Sequence, residues 1–272
     1  MKQLVTTDWL NENLDHVKIL DASWHLPNTN RDALKEYQEN HIKNAIFFDL
    51  DKNSDQSSKL PHMLSKKNDW EKNVSELGIN NSDHVIVYDN SDVISSCRVW
   101  YNFLYFGHDP SLVSVLDGGF KKWSDEKRPV DKNLVKFLTT NYTANENKNM
   151  VIDKNIVNEN IIKKKFQLID ARGKQRFLGL QPEPRAELRS GNISGSINLP
   201  FTELINSENK TFKNKDDLTK VFTDNNISLE KEMAFTCGSG VTACILGLAN
   251  SIISGKKPMI YDGSWAEYGL KE

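Results

Sequence analysis

Residues 233–246 read MAFTCGSGVTACIL. Met233 to Thr236 form an apolar run of the length of a buried strand, and VTACILGLANSII (Val241 to Ile253) is long and apolar enough for a packed helix. Cys237 therefore leaves a strand just ahead of a helix. Gly238 and Gly240 flank Ser239 and remove side chains that would shield backbone amides. Such a loop can curl its N–H groups around the sulfur while the helix aims its N-terminus at the same point. Both effects stabilise an anion, so they favour a thiolate or a sulfur anion carried on it. Many free cysteines are only small core hydrophobes. Cys244, inside the following helix, and Cys97, in SSCRVWYNFLYF (Ser95 to Phe106), suit that role; Cys237 reads as a nucleophile.

Working outward, the surrounding blocks recur. KILDASW (Lys18 to Trp24) matches FQLIDARG (Phe166 to Gly173), aligning Asp21 with Asp170. HIKNAIFFDL (His41 to Leu50) matches NISGSINLPF (Asn192 to Phe201), and SVLDGGFKKW (Ser114 to Trp123) matches PMIYDGSWAEY (Pro258 to Tyr268). HVIVYDNSDVISSC (His84 to Cys97) matches EMAFTCGSGVTAC (Glu232 to Cys244), which sets Asp89 opposite Cys237. Four blocks in one order at a nearly constant shift make two homologous halves. In each, short apolar runs such as VIVY, QLID and PMIY alternate with helical patterns, and DLTKVFTDN (Asp217 to Asn225) carries Leu218, Val221 and Phe222 on one face. The expectation is an α/β fold built twice, each domain a mainly parallel sheet flanked by helices. The boundaries expected are 1–135 and 151–272, with 136–150 as linker. The stretch from Asp131 to Met150, rich in Asn, Thr and Lys, suits an exposed connection.

Composition narrows the function. Of 272 residues, Lys+Arg 35 against Asp+Glu 37 gives a net charge of −2, with no surplus of cations for a nucleic-acid backbone. No run of 18 apolar residues spans a membrane, and the N-terminal MKQLVTTDWLNENL lacks a signal-peptide apolar core. Three cysteines make no disulfide framework, so a soluble cytoplasmic protein is expected. A zinc site is disfavoured, since Cys237 and Cys244 lack paired spacing and the second half has no His. A cysteine phosphatase needs Cys-x5-Arg, and the sixth position after Cys237 is Ala243.

The repeat, with CGSGVTA (Cys237 to Ala243), LDASW, FFDLD, PHML, RVW, LDGG, PEPR and YDGSW, resembles the two-domain sulfurtransferases of the rhodanese superfamily over nearly the whole chain. The resemblance implies tandem rhodanese-like domains with the nucleophile in the second and a catalytically silent first, where Asp89 replaces the cysteine. It implies that Cys237 takes sulfur from 3-mercaptopyruvate as a persulfide, releases pyruvate, and passes the sulfur to cyanide or a thiol acceptor such as thioredoxin or a small dithiol. No metal or organic cofactor is implied. The amides of the loop from Gly238 through Gly240, Val241 and Thr242 would hold the persulfide. Arg176 and Arg185, in RFLGLQPEPR, would bind the substrate carboxylate and carbonyl. Asp51 of FFDLD, His62 of PHML and Ser239 would form a proton-moving triad in a cleft between the halves. Asp170 and Arg172 would be an ion pair that shapes the site.

Thiosulfate-type members carry Arg and Lys in the two positions after the cysteine. Here Gly238 and Ser239 stand there, and a neutral rim weakens a dianion more than a keto acid with one carboxylate. Thiosulfate transfer remains the alternative activity. The other alternative, a non-catalytic binding module of the same fold, usually lacks the cysteine that this second half keeps. Leu178, where many members have a cation, and Asn192, where a histidine is common, depart from the family pattern.

Overall fold

The computed structural model describes residues 3–271. The chain divides into two compact units. One takes the chain up to Gln56, then Leu64–Asn147 and Ser207–Thr211; the other takes Ser57–Met63, Lys148–Asn206 and the chain from Phe212 onward. Each half of the sequence thus lends one short segment to the unit made mostly by the other.

Each unit is built on a five-stranded sheet with every pairing parallel. From edge to edge, the first sheet runs Leu4–Val5, Val113–Leu116, Val85–Tyr88, Lys18–Asp21, Ala45–Phe47. The second runs Val151–Ile152, Met259–Tyr261, Met233–Thr236, Gln167–Asp170, Ile197–Asn198. Matched blocks occupy matched positions, so the sequence repeat is a repeat of topology. The central strands VIVY and MAFT are buried at all four residues, because a strand covered on both faces has no polar side to show.

The helix after each central strand is equally enclosed. Ser96–Tyr105 is buried throughout, and Ala243–Ser254 is buried from Ala243 to Ser251. Lys215–Asp224, by contrast, buries only Leu218 and Phe222 and is opened by Asn214, whose side chain accepts from Asp217 N. Around the sheets, Leu10, Ile19, Tyr88 and Trp123 pack in the first unit, and Val157, Leu168, Ala234 and Trp265 in the second.

The segment read as an exposed connection is only partly exposed. Leu138 is 90% exposed, but Tyr142, Ala144 and Met150 are buried. Its backbone is fastened to the first unit: Thr140 N donates to Ser75 O, Ala144 N to Glu71 Oε1 and Asn145 N to Phe106 O. An extended strap held through its backbone leaves no hydrophobic period to read. Among the described residues, no helix is long and apolar enough to cross a membrane.

Candidate functional site

Cys237 leaves the strand Met233–Thr236 beside Asp170, in the register that pairs Thr236 with Asp170. Its side chain is nearly enclosed, with 2% of the residue exposed. Gly240 has φ +77°, a left-handed backbone that a side chain would strain, and this bend lies just ahead of the helix Ala243–Ser254. Thr242, which caps that helix, makes no side-chain capping bond. The amides of Gly238, Ser239, Val241, Thr242 and Ala243 have no acceptor among the described residues. These five N–H groups follow the cysteine at a helix N-terminus, a place where amides and the helix dipole favour an anion.

The loop is braced by the turn that follows Met259–Tyr261. Ser264 Oγ accepts from Cys237 N and Gly240 N, both at 3.2 Å, and donates to Tyr261 O at 2.8 Å. The Gly240 amide is therefore occupied. Trp265 N donates to Cys237 O at 3.0 Å and Ala266 N to Gly238 O at 2.8 Å. With those carbonyls tied back, the alternate amides are free to face a ligand. The Trp265 ring has the Arg172 guanidinium 4.4 Å from its centroid and that of Arg189 at 4.5 Å, which fixes the brace. Ser264 is fully buried at φ +49°, a conformation disfavoured for serine. The aligned position in the first half is Gly119, at φ +54°. Sequence reasoning assigned Ser264 no role; its signal was that a glycine stands at the same place in the repeat.

His62 belongs to the second unit, through the segment Ser57–Met63. It is buried, with φ +59°, and its Nδ1 lies 3.0 Å from Ser239 Oγ. Two members of the expected triad are thus joined. Asp51 lies in the first unit, where its Oδ2 accepts from Trp24 Nε1 at 3.0 Å.

The cations differ among themselves. Arg172, fully buried, donates to Asp170 Oδ2 and to Glu183 Oε1, each at 2.8 Å, and forms the expected ion pair. Glu183, buried as well, also receives Arg176 Nη2 at 2.5 Å. Arg176 borders the loop: a Cβ built on Gly238 would stand 3.4 Å from its Nη2. Arg185 is half-buried and has no side-chain partner among the described residues. It lines a cavity of about 300 Å³ together with Lys59, Leu60, Pro61 and Ala266. Glu183 is a second residue to which the sequence reading gave no role, although it sits inside PEPR. Leu178 is exposed, and Asn192 Nδ2 donates to Phe177 O, so the two departures do local surface work near this loop.

The matching loop of the first half carries its own carboxylate. Asp89 Oδ1 accepts from Ser91 N at 2.8 Å, its Oδ2 from Ser96 N at 3.0 Å, and Asn90 N donates to Ser23 Oγ at 2.8 Å. Burial pushes the Asp89 carboxyl above its ordinary range, against the pull of its bonds from Ser96 and Ser91.

Fold and site together define a tandem α/β protein in which one strand-to-helix loop begins with a cysteine and its counterpart with a hydrogen-bonded aspartate. The chain belongs to the rhodanese-like domain family, which matches residues 6–126 and 153–271. It is similar to the 3-mercaptopyruvate sulfurtransferase of Mus musculus, 37% identical over 278 residues that cover 99% of this chain and 93% of that protein. It is also similar to the thiosulfate sulfurtransferase of Rattus norvegicus, 39% identical over 276 residues covering 98% and 92%. The crystal structure of the 3-mercaptopyruvate sulfotransferase SseA from Escherichia coli superposes with a TM-score of 0.87 at 33% identity, covering 97% of this chain and 99% of that one.

Proposed function

We propose that this chain is a sulfurtransferase that takes sulfur from 3-mercaptopyruvate, with the second half catalytic and the first silent. The observation that carries the reading is the set of five unassigned amides after Cys237. The Cys237 thiolate attacks the substrate sulfur; the new S–S bond forms as the C–S bond breaks, and the electron pair stays on carbon as the enolate of pyruvate. The proton that turns this enolate into pyruvate passes through Ser239 and His62, whose 3.0 Å separation suits a relay. Asp51 enters as the carboxylate that would orient His62, on the resemblance alone. The persulfide left on Cys237 is held by the loop amides until a thiolate acceptor, from a small dithiol or a thioredoxin-type protein, attacks the outer sulfur and restores Cys237. Cyanide removes it as thiocyanate. Three cysteines without a disulfide support a reducing, cytoplasmic setting.

Near-equal identity to relatives named for the two sulfur donors leaves substrate choice to local chemistry. The two positions after Cys237 are uncharged, which favours the keto acid over thiosulfate. The test measures pyruvate release from 3-mercaptopyruvate with a dithiol, alongside thiocyanate formation from thiosulfate and cyanide. Faster turnover of mercaptopyruvate supports the reading. Faster thiosulfate turnover removes the substrate assignment, and inactivity on both by folded, reduced protein removes the enzyme.

A further inference from the structure

Arg176 and Arg185 look like a matched pair in the sequence, yet their surroundings differ. Arg176 is 27% exposed and shares the fully buried Glu183 with Arg172, whose other partner is the buried Asp170. Two carboxylates and two guanidiniums close a balanced row that ends at the loop, because Arg176 Nη2 borders Gly238. Arg185 has no side-chain partner among the described residues, so of this pair its charge alone is uncompensated. The two arginines together therefore offer N–H donors from both but the net charge of one. That is the complement of a single carboxylate and a poor match for a dianion.

We propose that Glu183 determines the charge of sulfur donor that the site accepts, by cancelling Arg176; this rests on the sulfurtransferase reading above. Glu183 acts through Arg176 and touches no substrate, so it is a specificity-determining positioning residue. The experiment compares kcat/KM for 3-mercaptopyruvate and for thiosulfate in the wild type, in Glu183→Gln and in Arg176→Gln/Glu183→Gln. Glu183→Gln keeps an acceptor oxygen for Arg172 but frees one positive charge beside the loop. The thiosulfate-to-mercaptopyruvate ratio is expected to rise by about tenfold or more, as one unit charge a few ångströms from a dianion implies. In the double variant both activities fall, because donors are lost. Its ratio stays within about threefold of the wild type, because the net charge is unchanged. Glu183→Gln that folds with an unaltered ratio overturns the proposal and makes Glu183 merely structural. So does a double variant whose ratio moves tenfold toward mercaptopyruvate, which would mean that Arg176 acts as a full cation. The double variant leaves Asp170 and Arg172 balanced and decides the matter alone should the single variant misfold. These outcomes presuppose an active wild type; loss of both activities there overturns the sulfurtransferase reading and the proposal with it.

Discussion

The loops Asp89–Ser95 and Cys237–Thr242 leave corresponding strands of the two sheets and enter corresponding helices, yet only the first carries its own carboxylate. In the first, the Asp89 carboxylate spans the amides of Ser91 and Ser96, so the chain supplies its own anion to the helix N-terminus. In the second, the side chain is a sulfur, and five amides stay unassigned. A strand-to-helix turn of this shape concentrates N–H groups whatever the residue at its start. On the reading proposed above, silence and catalysis differ by which anion meets the turn, one built in and one that has to arrive. A similar contrast sits one strand away. Asp21 and Asp170 both accept the backbone N–H two residues on, at 2.9 Å. Only Asp170 has a guanidinium there; position 23 is serine.

The largest test exchanges the anions. Cys237→Asp and Cys237→Ser are both expected to abolish pyruvate release, by at least about a thousandfold. The carboxylate should also cap the loop and raise the thermal midpoint above that of Cys237→Ala. A Cys237→Asp protein no more stable than Cys237→Ala would show that the second loop cannot accept a carboxylate, and would break the comparison.

The aligned aspartates should respond in opposite directions. Asp170→Asn leaves Arg172 buried with half its charge partners gone, which costs about 3–5 kcal/mol in urea unfolding at pH 7. Burial, opposed by bonds from Ser23 and Tyr88, pushes the Asp21 carboxyl from 3.8 up to about 6. The folded state therefore holds that proton more tightly than the unfolded chain does. Its stabilisation is whole below pH 3.8, falls as pH rises, and is gone above about pH 6. The displacement corresponds to about 3 kcal/mol. Relative to wild type, Asp21→Asn should gain about that much between pH 4 and pH 7; a difference that stays flat with pH would refute the assignment.

Smaller effects sharpen the contrast. Asp89→Ala uncaps Ser96 N and Ser91 N and should cost about 1–2 kcal/mol in the urea midpoint, while the folded protein keeps its mercaptopyruvate activity. Loss of activity in stable Asp89→Ala would mean that the first loop is not silent. Ser264→Gly copies Gly119, relieving a left-handed serine but releasing the amides of Cys237 and Gly240. The two changes oppose, so stability should move by under about 1 kcal/mol. Turnover should fall several-fold as the loop loosens, measured as kcat at saturating donor.

Much of this was legible in the chain itself. The repeat set the topology because strands buried on both faces read as near-continuous apolar runs, and VIVY and MAF show that without any fold in view. The glycine-flanked Cys237 between strand and helix marked the candidate nucleophile, since that juncture is where amides gather. What the sequence could not show is which amides are already taken and which charges are already cancelled. Ser264 reaches the Gly240 amide from 24 positions away and occupies it; Glu183 neutralises Arg176 and leaves Arg185 alone. His62 joins the second unit across 177 positions to meet Ser239. Residue types and local spacing determine which groups a segment offers. Whether each group is spent depends on partners brought in by the tertiary fold, because hydrogen bonds and charge cancellation act over a few ångströms of space, however long the chain between them.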